Sequence, residues 1–176
     1  DPVVDGNESS KTFNWTFNTT GKTFNALNTG ETVRLVYTVQ VIDNAPIPAS
    51  STQTVTVTIT GTNDSPVAVM DTASTSENSS VTLDVLANDT DPDSLDNSAN
   101  FTLNSVAITT NDHSNGYNAL KVTTIATATI VDNKLVFTPN DEFDYLAKDD
   151  TGTVVVTYEM KDDEGLTSTN TATITI

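Results

Sequence analysis

Apolar residues alternate with threonines in the most regular segments of the chain. In residues 54–60, Val55, Val57 and Ile59 are separated by threonines, and residues 171–176 follow the same pattern. Because successive side chains of a strand point to opposite faces, each segment predicts a strand with one apolar and one threonine-covered face. No long window shows the 3.6-residue period of an amphipathic helix, so the sequence predicts an all-β protein.

The residues that precede these two segments also match, which indicates an internal repeat. Leu35 aligns with Val154 at an offset of 119 positions, and Ile59 aligns with Ile176 at an offset of 117. The two-residue difference falls in a loop that is longer in the first copy. Residues 1–62 therefore repeat only the second half of the region that follows.

A turn-forming segment at residues 61–66 separates the copies. We interpret residues 63–66 as a linker and residues 67–176 as a complete seven-strand β-sandwich of the immunoglobulin or cadherin type. Its strands are predicted at 67–72, 81–86, 101–109, 121–130, 134–138, 152–161 and 166–176. Residues 1–62 are predicted to form four strands, near 13–17, 24–27, 32–42 and 53–60, so this first domain is predicted to be incomplete.

Three acidic segments are predicted to converge at one end of the second domain. Because strand direction alternates, the loop after its second strand, its last hairpin and the linker all lie at that end, beside an acid of the first copy. Clustered carboxylates without basic partners favour a bound cation, and hard oxygen ligands on loops favour Ca²⁺. The sequence therefore predicts an interdomain Ca²⁺ site formed by Glu31, Asn63, Asp64, Asp89, Asp91, Asp93 and Asp162.

Ordinary solvated turns remain the alternative explanation for any one of these acids taken alone. The spaced aspartates do not form an EF-hand, since that loop's glycine and distal glutamate are missing. At the opposite end of the second domain, Glu77 and Asp150 are expected to form a similar pair facing a further domain.

Composition narrows the possible partners. The 176 residues include 7 basic and 24 acidic side chains, which gives a net charge of −17, and 34 threonines. This charge disfavours nucleic acids and anionic membrane surfaces. The chain contains no cysteine, so disulfides and cysteine-ligated zinc are excluded. No apolar run is long enough for a transmembrane helix, so membrane insertion is not expected.

The segment from Val57 to Pro66, with the sequence VTITGTNDSP, resembles the repeat ends and linkers of large bacterial surface adhesins of the RTX type. Residues 24–39 resemble a VCBS repeat, and residues 85–93, VLANDTDPD, resemble the start of a cadherin-like repeat. The resemblance implies tandem β-sandwiches joined by Ca²⁺-filled linkers at the bacterial cell surface. It also implies that residues 1–62 are the returning half of a split domain, although a cut within the domain explains them equally well.

Two other features of the sequence are candidate functional sites. Phe13, Trp15 and Phe17 share one face of a predicted strand, and we expect them to pack in a core rather than form a carbohydrate platform. If the missing half of the first domain is absent, we expect them to be exposed and available to pair with another chain. His113 lies in a polar loop and is interpreted as a surface residue. Nothing in the sequence indicates a catalytic pocket, so an enzyme is not expected.

These observations predict a structural extender or ligand-presenting segment of a secreted adhesin, stiffened by Ca²⁺ and acting in cell adhesion. Its expected partners are neighbouring domains of the same long chain, and surface glycans or peptides bound through an adjacent domain. The alternative is a carbohydrate- or peptide-binding module of the same kind of surface protein.

Overall fold

A computed structural model of the chain describes residues 14–43, 45–112 and 125–176. The chain divides into two compact units, Asp1–Thr62 and Asn63–Ile176. Within the described residues there is no α-helix, and regular structure consists of nine strands and a 3₁₀ turn. The prediction of an all-β protein is therefore confirmed.

The first unit contains an antiparallel hairpin of two strands, β1 (Thr32–Ile42) and β2 (Ser50–Thr60). The strands predicted near 13–17 and 24–27 are wrong for every residue that the structure describes, while Phe13 lies outside it. A turn in which the Leu27 amide donates to the Phe24 carbonyl at 3.0 Å replaces the second of these strands. Apolar spacing alone does not make a strand, because a strand also requires backbone hydrogen bonds to a neighbouring strand.

The second unit is a two-sheet sandwich of seven strands. One sheet has the order β3–β9–β8–β5 and the other the order β4–β7–β6; all pairings are antiparallel except that of β3 with β9. The strands are β3 (Asp71–Ser74), β4 (Val81–Leu83), β5 (Thr102–Asp112), β6 (Thr127–Val131), β7 (Lys134–Thr138), β8 (Thr153–Lys161) and β9 (Thr167–Thr175).

Alternating residues of β8 build the centre of the core. Val154, Val156, Tyr158 and Met160 have no exposed surface, whereas the residues between them are only partly buried. They pack with residues of the opposite sheet such as Phe137. Burial of large apolar side chains from both inner faces is what holds such a sandwich together.

Several predicted strand boundaries differ from those observed. The strand expected at 67–72 is a single bridge between Val67 and Thr90 followed by β3. The strand expected at 81–86 ends at Leu83, because the chain turns there and the Ala87 amide donates to the Asp84 carbonyl. The strand expected at 121–130 is observed as β6, and residues 121–124 lie outside the described chain.

The internal repeat is reproduced in the cross-strand register. Leu35 pairs with Val57 in the first unit, and their aligned residues Val154 and Ile174 pair in the second. The β1–β2 hairpin therefore corresponds to β8–β9, residue pair by residue pair. The difference is burial, because the face that is buried on β8 is partly or largely exposed on β1, where Val41 retains 51% exposure.

This contrast predicts unequal effects of truncating aligned residues. Met160→Ala should destabilise the second unit by about 2–5 kcal/mol, because it opens a cavity in a closed core. The aligned change Val41→Ala should cost less than about 0.5 kcal/mol, since Val41 is half exposed. Urea unfolding followed by far-ultraviolet circular dichroism measures both, and equal losses would contradict the difference in burial between Met160 and Val41.

Candidate metal centre

The loop that follows β4 is held by its own aspartates. The Asp91 carboxylate accepts a hydrogen bond from the Asp93 amide at 2.8 Å, which folds the Asp-Pro-Asp segment into a tight turn. Asp93 is 2% exposed, and its Oδ2 accepts from the Asp64 amide at 2.8 Å. The loop is therefore fixed against the residues that begin the second unit.

The β8–β9 turn reaches the same residues through Asp162, which is 1% exposed. Its Oδ1 accepts hydrogen bonds from the amides of Gly165 and Leu166, and Gly165 has the positive φ of 106° that this turn requires. Its Oδ2 accepts from the Asn63 side-chain amide at 2.9 Å. Asp162 thus closes the hairpin and attaches it to Asn63.

The three segments together form an acidic group that we call the end cluster. Carboxylate oxygens of Asp91, Asp93 and Asp96 lie within 4.8 Å of one another. The end cluster consists of Asn63, Asp64, Asp91, Asp93, Asp96 and Asp162. The convergence of segments predicted from strand direction is therefore observed, while the role of these residues as metal ligands remains a prediction.

Three buried oxygens of the end cluster have no hydrogen-bond partner: Asn63 Oδ1, Asp91 Oδ2 and Asp93 Oδ1. Each unsatisfied buried polar group costs about 1–3 kcal/mol, and more when it is charged. Oxygens of this kind, on loops and without basic partners, fit the donor set of a hard cation such as Ca²⁺.

The electrostatics of the end cluster are those of unneutralised acids. Burial raises the pKa of Asp96 to about 6, assisted by the negative charges of Asp163 and Asp91. Burial also raises the pKa of Asp91, to which the charge of Asp93 adds. Among the described residues, no lysine or arginine forms an ion pair with Asp91, Asp93 or Asp96; the Lys134–Asp84 pair, at 2.9 Å, involves none of them.

Two of the residues predicted as ligands make contacts elsewhere. The Asp89 Oδ1 accepts from the Val69 amide at 2.7 Å and from the Tyr158 hydroxyl at 3.1 Å, so it belongs to a second acidic group around Tyr158. Glu31 belongs to the first unit, where its carboxylate accepts from the backbone and side-chain amides of Asn28.

The sequence interpretation missed Asp96 and Asp163. Asp96 lies three residues after Asp93, so an Asp-x-Asp-x-x-Asp spacing was available as a signal. Asp163 is adjacent to Asp162, and its carboxylate contacts that of Asp96. The sequence pattern does not show that these two residues lie near the other acids, because their position depends on the path of an irregular loop.

The remaining predicted sites have different outcomes. Trp15 is 50% exposed, so its assignment to a core is wrong. The carboxylate of Glu77 accepts from the neighbouring Asn78 side chain, and that of Asp150 accepts from the Ala147 amide. Whether these two acids serve a further domain remains a prediction. His113 lies outside the described residues.

Comparison with known proteins identifies the protein family to which the chain belongs. A family model described as a bacterial cadherin-like domain matches residues 63–176, which is the whole second unit. The chain therefore belongs to the bacterial cadherin-like domain family. No curated protein matches the chain.

The family and the fold agree on the kind of protein. Cadherin-like sandwiches are structural, typically non-enzymatic modules of extracellular or surface proteins of the adhesin type, and they usually bind Ca²⁺. None of the described helical segments is long and apolar enough to cross a membrane.

The raised pKa values predict an unusual response to pH in the absence of metal. A folded-state pKa above the unfolded value of about 3.9 means that the folded chain binds more protons between those two values. In chelator, the melting temperature of the second unit should therefore rise as the pH falls from 7 to 5, because protonation of Asp96 relieves repulsion.

Scanning calorimetry at several pH values in chelator measures this response. Asp96→Asn should reduce it without abolishing it, because the pKa of Asp91 is also raised, whereas Asp132→Asn, an exposed control in the β6–β7 turn, should leave it unchanged. A wild-type melting temperature that decreases as the pH is lowered from 7 to 5 would contradict the prediction.

Proposed function

We propose that the end cluster binds Ca²⁺ and that the bound ion stiffens this chain as an extender segment of a large bacterial surface adhesin. The observation that carries the proposal is the set of three buried, unpartnered oxygens on Asn63, Asp91 and Asp93. Oxygen atoms that are already held in place but lack partners are suited to a cation.

The hydrogen bonds of the end cluster favour this interpretation over ordinary turns. Asp162 Oδ2 holds the side-chain nitrogen of Asn63, which leaves the amide oxygen as the available donor atom. Asp64 donates its backbone amide to Asp93 Oδ2, while Asp93 Oδ1 stays unpartnered. Each contact positions a ligand oxygen without using it, as outer hydrogen bonds do around bound metals.

The mechanical role follows from where the ligands lie in the chain. Asn63 and Asp64 are the first residues of the second unit, so an ion bound to them and to Asp91 would restrict the peptide that leads into the sandwich. A segment restrained in this way would hold a ligand-binding part of the adhesin away from the cell surface, in the manner of RTX adhesin repeats.

Calcium should therefore raise the melting temperature of the 176-residue chain, since an ion that binds only the folded state stabilises it in proportion to the logarithm of its concentration. Removal with chelator should reverse the rise and broaden the distance distribution in small-angle scattering. Isothermal titration calorimetry would measure the affinity directly.

Asp93→Asn is the sharpest variant, because it keeps the shape of a side chain that is 2% exposed and removes its charge. It should weaken Ca²⁺ binding by tenfold or more, and Asp132→Asn serves as the charge-matched control. Equal affinity in the wild type and Asp93→Asn, or no binding by the wild type, would refute a Ca²⁺ site in the end cluster.

A groove in the first unit favours carbohydrate or peptide binding as a second candidate. Trp15, Phe17 and Tyr37 line a shallow opening of about 320 Å³, together with Thr16 and Asn18. Exposed aromatic faces beside polar side chains are a common setting for sugar or peptide recognition.

Glycan-array binding tests this second candidate. Wild-type protein should give signals that Trp15→Ala lowers at least fivefold, while the exposed change Ile47→Ala, which lies outside the groove, should leave them unchanged. Signals no higher than background in the wild type would remove carbohydrate recognition from this groove.

A further inference from the structure

We propose that Asp71 and Asp89 form a second cation site within the cadherin-like domain, separate from the end cluster and suited to Ca²⁺. We call these two residues the inner pair. The proposal goes beyond the metal site in the end cluster, because it rests on a different set of unpartnered oxygens.

Asp89 supplies the first unpartnered oxygen. The residue is 5% exposed, and its Oδ1 is held by the Val69 amide at 2.7 Å and the Tyr158 hydroxyl at 3.1 Å. Its Oδ2 is buried and has no partner. A carboxylate that is held in place through one oxygen can bind a cation through the other.

Asp71, the first residue of β3, supplies the second. Its Oδ2 is also buried without a partner, and its carboxylate contacts the Tyr158 hydroxyl as Asp89 does. The two acids are therefore gathered around one phenol. Burial, and next the charge of Asp89, raise the pKa of Asp71 to about 6.

Tyr158 cannot satisfy both acids. A phenol has one hydrogen to donate, and here the Val69 carbonyl lies 2.7 Å from the Tyr158 oxygen while the two carboxylates compete for the same hydrogen. The inner pair therefore places two carboxylates beside a single hydroxyl hydrogen in a partly buried setting. A divalent cation would neutralise both charges and use both unpartnered oxygens.

The chemistry of the neighbours fits a hard cation. The side chain of Asn88 hydrogen bonds to Asp71, so an amide group also lies beside the inner pair. No nitrogen or sulfur ligand of a transition metal lies among the residues named here, and oxygen ligands of this kind prefer Ca²⁺. Waters would complete the coordination on the exposed side of Asn88.

The inner pair differs from the end cluster in its partners. The charges that raise the pKa of Asp91 are those of Asp93, Asp162 and Asp64, whereas those acting on Asp71 are Asp89 and Asp84. The two groups share one loop but draw on different strands. Each site can therefore be removed by substitution while the other is kept.

Native mass spectrometry and calorimetry on the 176-residue chain test the proposal by counting bound Ca²⁺. Asp71→Asn should bind one ion fewer than the wild type, keep the ions of the end cluster, and melt at a higher temperature in chelator because the repulsion is gone. Asp93→Asn should lose end-cluster binding and retain the inner ion. Asp132→Asn should match the wild type.

The two substitutions separate the two proposals, because Asp93→Asn reports on the end cluster and Asp71→Asn on the inner pair. An unchanged ion count in Asp71→Asn would overturn the inner site. A second result would also overturn it: Asp71→Asn is more stable than the wild type in chelator, but Ca²⁺ stabilises both proteins equally. In that case a shared proton, and not a cation, would hold Asp71 and Asp89 together.

Terbium luminescence provides a measurement that does not depend on the folding of Asp71→Asn. Tb³⁺ replaces Ca²⁺ at oxygen sites, and a tyrosine beside the ion sensitises its emission. In the Asp93→Asn protein, Tb³⁺ emission on excitation at tyrosine wavelengths should persist, and adding Tyr158→Phe should reduce it at least fivefold. Emission that is absent, or indifferent to Tyr158→Phe, would overturn the site.

Discussion

The antiparallel β8–β9 hairpin is the element on which both the core and the acidic groups depend. Its inner face places Val156 and Tyr158 at the centre of the sandwich, and its turn begins with Asp162. One side chain, Tyr158, belongs to the core through its ring and to the inner pair through its hydroxyl. Apolar burial therefore fixes the positions of polar groups that could not hold themselves together, because their charges repel.

Electrostatic repulsion between clustered aspartates destabilises the second unit. The net charge of −17 is not spread evenly, since buried or half-buried aspartates gather at the loop after β4 and along the start of β3. Oxygens on Asn63, Asp91 and Asp93 remain without partners although the protein could have enclosed them with donors. If the end cluster binds a cation as proposed, the stability of the domain depends on the surrounding ion concentration.

The repeat, the number of strands in the second unit and the meeting of its acidic segments could all be predicted from sequence. Each depends on regular alternation and strand direction, which the sequence encodes locally. Asp96, Asp71 and Tyr158 could not be found in this way, because their contacts depend on loop paths and on which face meets which loop. The strands expected at 13–17 and 24–27 were wrong for a related reason, since alternation does not show whether a segment forms hydrogen bonds to another strand.

A single loop carries ligands for both proposed sites, and this arrangement has a consequence for their energetics. Asp89 and Asp91 are separated by one residue, Thr90, whose backbone pairs with Val67. An ion on the inner pair would fix Asp89 and therefore limit the positions open to Asp91. The first ion to bind then bears the entropic cost of ordering the loop, and the second ion binds to a segment that is already ordered. If both ions bind, the two sites would be positively coupled, so that loss of one ion weakens the binding of the other without abolishing it.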